Sequence, residues 1–165
     1  MKNVKLEIIS TNLRRYTFES PKIKKWVEDN CSGAVLNLFA GNTSLFVSET
    51  RNDIDANTKA EYHLDAVEFV KMWQVGHTSK FDTIILDPPY AYRKAMEMYG
   101  GNYCSKFKIL ADLIPSILNP GGKVISFGYH STFLGKKRGA QLAKLAVFAH
   151  GGAQHCTIGI VEEIK

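Results

Sequence analysis

An apolar run that ends at two prolines constrains this chain more than any other feature. Phe81-Asp82-Thr83-Ile84-Ile85-Leu86 leads straight into Asp87-Pro88-Pro89-Tyr90. The run is too short for a helix and has the aliphatic, β-branched character of a strand buried on both faces. Proline donates no ladder hydrogen bond, so the strand has to stop there. The four residues therefore sit at the carboxyl end of a central parallel strand, where open α/β sheets bind their ligands.

Their chemistry is specific. A carboxylate accepts hydrogen bonds and donates none. Pro88 offers a carbonyl but no N–H, and a residue before proline is held extended. Asp87 and the Pro88 carbonyl are expected to form a rigid pair of acceptors, suited to an exocyclic NH2 group with two hydrogens to give. Tyr90 adds a flat ring on which the attached base can stack.

The rest of the composition is compatible with this and adds bounds. A chain of 165 residues suits one domain with one core, and 45% hydrophobic against 22% charged residues is ordinary for a globular protein. No apolar run approaches a membrane span, and no membrane partner is expected. Lys2, Lys5 and Glu7 interrupt the N-terminus, which lacks a leader's apolar core. Cys31, Cys104 and Cys156 form no CxxC pair and no zinc spacing, which predicts a reduced cytoplasmic setting. His150, His155 and Cys156 lie close in sequence, but on a loop and alternating strand faces, so no metal is expected. The net charge of +5 fits a polyanionic partner.

In chain order, Val4 to Ile9 reads as a short strand. Ser20-Pro21 opens a helix, with Ser20 as N-cap and Ile23, Trp26 and Val27 on its inner face; Ser32-Gly33 closes it. Ala34 to Phe39 is a short strand that runs into a turn at Gly41, where a ligand can approach the backbone closely. Phe46 to Asn52 reads as the second strand, ending at Asp53. Only eleven residues separate Leu38 from Thr50, so the crossover helix is expected to be very short. An acid at the end of a second strand accepts from ribose hydroxyls; Asp53 fills that place, with Asp55 as the alternative. Tyr62 to Ala66 reads as a brief third strand and turn. A helix follows from Ala66 to Val75, with Val67, Val70 and Met72 inward, and Asp65 can be its N-cap. After Tyr90, a loop interleaves Tyr92, Arg93, Lys94, Tyr99 and Tyr103 with Gly100-Gly101, a pattern fit to close over a nucleotide. Ser105 to Leu118 reads as an amphipathic helix and Lys123 to Phe127 as a buried strand. Lys136, Lys137 and Arg138 are expected beyond that strand's carboxyl end, on the rim of Asp87, to meet phosphate. Two strands, near Leu142–Ala149 and Cys156–Glu162, close the chain as an antiparallel hairpin.

Asp87-Pro88-Pro89-Tyr90 resembles the amino-methyltransferase motif of nucleic-acid methyltransferases that use S-adenosylmethionine. Ala34 to Thr43 resembles that family's first motif, Asp-x-Phe-x-Gly-x-Gly. The match holds at Phe39 and Gly41, whereas Asn37 stands for the acid and Thr43 for the second glycine. The resemblance implies a Rossmann-like α/β fold: a mostly parallel seven-stranded sheet in the order 3-2-1-4-5-7-6, helices on both faces, and an antiparallel C-terminal hairpin. It implies S-adenosylmethionine as cofactor, held by Tyr16, Thr17 and Phe18, by Asn37, Phe39, Ala40 and Gly41, by Asp53, by Asp65 and Ala66, and by Asp87. It implies methyl transfer to a base amino group by Asp87, Pro88, Pro89 and Tyr90, with Tyr92, Arg93, Lys94, Lys136, Lys137 and Arg138 on the nucleic acid. Adenine N6 in DNA is the first expectation, and RNA (adenine N6 or guanine N2) the alternative.

A single domain over residues 1–165 is expected: an N-terminal arm and helix (1–32), a cofactor-binding half (33–80) and a catalytic half (81–165). No separate target-recognition domain is expected. Specificity is then expected from the loops, a homodimer or an accessory recognition subunit. A nicotinamide oxidoreductase is disfavoured by the lack of GxGxxG after the first strand. A non-catalytic nucleic-acid-binding subunit of the same fold is disfavoured by the intact Asp87-Pro88-Pro89-Tyr90.

Overall fold

The computed structural model of the chain describes residues 3–89 and 107–165. Tyr90, Tyr92, Arg93, Lys94 and the loop they belong to lie outside the described residues. In chain order the elements are β1 (Lys5–Ser10), α1 (Pro21–Asn30), β2 (Val35–Asn37), β3 (Glu49–Arg51), α2 (Ala66–Gly76), β4 (Phe81–Leu86), α3 (Phe107–Leu113), β5 (Leu118–Gly128), β6 (Ala140–Ala149) and β7 (Thr157–Ile164). Among the described residues no helix is long and apolar enough to cross a membrane.

The strands form one sheet in the order β1-β6-β7-β5-β4-β2-β3. Only β7 runs against the others, pairing antiparallel with both β5 and β6. Seven strands and the final hairpin match expectation, but they are not the same seven. The expected third strand is reduced to one parallel bridge between Asn52 and Tyr62. The N-terminal strand takes the opposite edge, in register with β6 from Lys5–Lys144 to Ser10–Ala149.

Three local expectations also change. β3 spans only Glu49–Arg51, and Phe46, expected in that strand, is 88% exposed in the preceding loop. No helix forms anywhere between β2 and β3. Past Leu113 the α-helix gives way to a 3-10 turn, Ile114–Ile117, because Pro115 has no N–H for an α-helical bond. β5 then begins at Leu118, earlier than expected, and its register on β4 slips across Pro120-Gly121-Gly122, with Gly121 at φ +75°.

Alternation along the strands divides the core in two. Leu36, Ile84, Leu86 and Val124 face α2 and α3, where Phe69, Val70 and Leu110 are fully buried. Phe69 carries more of that contact than the expected Met72, which is half-buried. Val35, Ile85, Ile125, Phe148 and Val161 face α1, with Ile23, Trp26 and Val27 inward as its spacing predicts. Ser20 caps α1 through its Oγ, which accepts from the Ile23 N–H at 3.4 Å.

Trp26 meets Phe127 and Phe148 edge-on over Gly159, whose missing Cβ would lie 3.0 Å from each phenylalanine ring and 3.2 Å from the indole. Gly159→Ala is therefore expected to lower stability by about 1–3 kcal/mol through overpacking. Urea denaturation checks this, and an unchanged midpoint would show that the aromatic cluster yields freely.

Candidate active site

Because β1 to β6 all run in one direction, their carboxyl ends define a single rim. At that rim stand Phe39, Ala40 and Gly41 after β2, Asp53 after β3, Asp87, Pro88 and Pro89 after β4, and Tyr129 after β5. β2 lies between β3 and β4, so Asp53 and Asp87 are two strand spacings apart, about 10 Å. Asp87, Pro88 and Pro89 are half-buried. Asp65 joins them at the start of α2, where its Oδ1 accepts the Val67 N–H at 2.9 Å.

The segment Arg51-Asn52-Asp53 builds the left half of this rim. All three side chains are buried. Asp53 Oδ2 accepts the Gly41 N–H at 2.8 Å, and Oδ1 accepts from Asp55 at 2.9 Å. Gly41 has φ +53°, a conformation glycine reaches without strain. The Asn52 amide donates to Leu38 O and Leu64 O, and its Oδ1 accepts the Leu64 N–H at 3.1 Å. Asn52 thereby supplies the ladder bonds that a third strand would have made, and delivers Asp65 to the rim.

Arg51 does the corresponding work for the missing helix. Its Nη2 reaches Gly41 O at 2.9 Å, Ala40 O at 3.3 Å and Thr43 O at 3.5 Å. Its Nη1 donates to Ser44 Oγ and to Lys59 O. Nε faces Glu49 Oε1 at 3.3 Å as an ion pair without hydrogen-bond alignment. Glu49 also accepts from the Asn37 amide at 3.1 Å and the Leu45 N–H at 3.2 Å. Burial pushes the Glu49 carboxyl above its ordinary range, against the opposing pull of Asn37, Leu45 and Arg51. Asn37 Oδ1 is buried with no hydrogen-bond partner.

Of the remaining predicted site residues, Tyr16, Thr17 and Phe18 lie in the connection from the carboxyl end of β1 to α1, on this same rim, whereas the basic run lies on the opposite one. Phe18 is core, 5% exposed and edge-on to Phe127 at 5.6 Å; Thr17 precedes it in a 3-10 turn, and Tyr16 is exposed under Arg15. Lys136, Lys137 and Arg138 do not share the rim of Asp87. β6 is parallel to β5, since both oppose β7, so the chain from Tyr129 to Gly139 crosses the sheet and reaches the amino end of β6. The three cations precede Ala140 at that opposite rim, and Arg138 is committed to Asp112 at 2.7 Å. Arg14 and Arg15 are exposed cations in the connection that leaves the carboxyl end of β1, and so share the rim of Asp87. Nothing in the sequence around Arg14 and Arg15 marks that rim.

No protein-family model matches the chain, and no curated protein sequence does. Solved structures do match. SMU.776, a methyltransferase candidate crystallised with SAH, superposes with TM-score 0.63 and 13% identity, over 91% of this chain and 50% of its own. TrmN from Thermus thermophilus gives TM-score 0.59 and 16% identity over 88% of this chain and 49% of its own. The methyltransferase candidate yhhF from Escherichia coli gives TM-score 0.54 and 10% identity over 88% and 83%. The chain thus spans about half the length of the first two (50% and 49%). At such identities the likeness defines the fold: the chain has the Rossmann-like methyltransferase fold.

Proposed function

We propose that the chain is an S-adenosylmethionine-dependent methyltransferase of a nucleic-acid base amino group, adenine N6 in DNA first. The observation that carries this is the end of β4. Asp87-Pro88-Pro89 emerges at the carboxyl rim on the strand next to the Gly41 turn. Features of the rim fit the cofactor. The unpartnered Asn37 Oδ1 can accept from a ligand ammonium. A Cβ placed on Gly41 would meet nothing within 4 Å, so the turn leaves room for close approach. Asp53 and Asp65 keep unused lone pairs for hydroxyl and amino donors.

The bound cofactor would supply an activated methyl group. The chain's own residues supply position. An aromatic amine is a poor nucleophile because its lone pair is delocalised into the ring. With its hydrogens accepted by Asp87 and the Pro88 carbonyl, that lone pair is held toward the methyl donor. As the nitrogen gains positive charge, the Asp87 carboxylate stabilises it. A base in duplex DNA has to leave the stack first. Calorimetry on ligand-free protein tests the cofactor: heat with S-adenosylmethionine and its demethylated product is expected, and none with NAD. No heat with either methyl-donor compound would end this reading.

Phosphate contacts carry no sequence information but set the salt dependence of binding. Replacing Arg14 and Arg15 together by Gln is expected to weaken DNA binding about tenfold at low salt and to flatten its salt slope. Replacing Lys136 and Lys137, on the opposite rim, should change neither. Anisotropy titrations over a salt series decide it; the reverse pattern would place the polymer on the other rim.

A further inference from the structure

We propose that Arg51 is the positioning residue of the cofactor turn, standing in for the helix that this chain lacks after β2. The inference rests on the S-adenosylmethionine reading and adds to it a residue whose role comes from this chain's own geometry.

A parallel crossover is ordinarily helical, and a helix satisfies the carbonyls of its first turn with amides four residues on. Residues 38–48 form no helix, so the carbonyls of Ala40, Gly41 and Thr43 have no such amides. One guanidinium takes all three, and the same group binds Ser44 Oγ and Lys59 O. The rigid fork suits this work, because it presents several donors in a fixed plane. Lys59 in turn donates its N–H to Asn42 Oδ1 at 3.1 Å, closing the turn from the far side.

Arg51 and Asp53 are two residues apart and grip the same turn by its two kinds of backbone group. Arg51 holds carbonyls, and Asp53 holds the Gly41 amide at 2.8 Å. Glu49 keeps the guanidinium in place and is itself anchored to Asn37 and Leu45. The consequence is a turn set in advance by side chains of β3. Removing the guanidinium leaves β4 and its Asp87-Pro88-Pro89 end untouched. Loss should therefore fall on cofactor binding, not on methyl transfer once the cofactor is bound.

Three variants test this: Arg51→Gln, Arg51→Lys and, as a control, Asn30→Ala. The control removes a buried amide that donates to Trp26 O on α1, far from the turn. Binding of the demethylated product is titrated against each folded protein, and cofactor KM and kcat are measured on a methyl-accepting substrate. We expect Arg51→Gln to weaken binding and raise cofactor KM about tenfold to a hundredfold. Its kcat at saturating cofactor should stay within about threefold of the parent. Arg51→Lys should recover part of the loss, and it decides the matter if Arg51→Gln does not fold. Asn30→Ala should lower the melting temperature with unchanged cofactor affinity. Unchanged affinity in both Arg51 variants, with a melting shift like that of Asn30→Ala, would show a merely structural arginine and overturn the proposal. If the parent protein itself binds neither cofactor form, the methyltransferase reading fails and this inference with it.

Discussion

Asp87→Ala is expected to abolish methyl transfer while leaving cofactor affinity within about threefold, because the carboxylate acts on the incoming amino group. Orientation of a reactant within an active site is worth up to about 7–11 kcal/mol, and a thousandfold loss corresponds to only ~4 kcal/mol. A fall of about a thousandfold or more in turnover is therefore well within what one lost acceptor can cause. The backbone argument sharpens the prediction. Pro88 holds Asp87 extended at the end of a strand whose last residues, Ile84, Ile85 and Leu86, are fully buried. The strand that carries Asp87 is thus a buried mount, and alanine at its end removes the acceptor. Asp87→Asn keeps one acceptor oxygen but turns a donor toward an amine that needs acceptors, and should keep only a trace of activity. Turnover near that of the parent in Asp87→Ala would remove the acceptor role.

Glu162→Ala is expected to be the most destabilising single change, by about 3–6 kcal/mol. The Glu162 carboxylate is 1% exposed and accepts four hydrogen bonds. They come from the Thr132 hydroxyl at 3.0 Å and the N–H groups of Phe133, Leu134 and Gly135 at 2.8–2.9 Å. Those amides belong to the connection from β5 to β6, which crosses the sheet with one 3-10 turn in place of a helix. Without the carboxylate, three amides and a hydroxyl lose their acceptor. The loss is a large fraction of the 5–15 kcal/mol typical of a whole domain. Denaturation in urea gives the number directly. A decrease below about 1 kcal/mol would mean that water replaces the carboxylate at no cost.

Both substitutions show where the sequence was legible. The stop at Asp87-Pro88 follows from local chemistry, and so do the Ser20-Pro21 start of α1 and the Asp65 cap of α2. Each depends on residues within a few positions. What the sequence hid depends on partners far along the chain. The eleven residues between Leu38 and Thr50 signalled a compressed crossover, but not that Arg51 would take over the helix's work. Nor does a lone Asn52 reveal that its amide will replace a strand. Glu162 reads as one more residue of an alternating strand until the β5–β6 connection folds over it.

The basic run went wrong for a topological reason. Its rim depends on whether the chain turns back after β5 or crosses the sheet. The eleven residues from Tyr129 to Gly139 can extend to about 36 Å, so both paths are open to them. The insertion of β7 between β5 and β6 decides for crossing, and the expected order 3-2-1-4-5-7-6 already contains it, so the expected rim of the basic run conflicts with the expected topology itself.

The most direct measurement follows methyl transfer itself. Labelled S-adenosylmethionine is incubated with the protein and, in parallel, with duplex DNA, single-stranded DNA, RNA and a protein extract, and the products are digested and analysed by mass. Label in DNA as N6-methyladenine, absent with Asp87→Ala, is the predicted result. Label in RNA alone would overturn the choice of polymer, and label only in protein or a small molecule would contradict the central claim that the Asp87-Pro88 rim receives a nucleic-acid base.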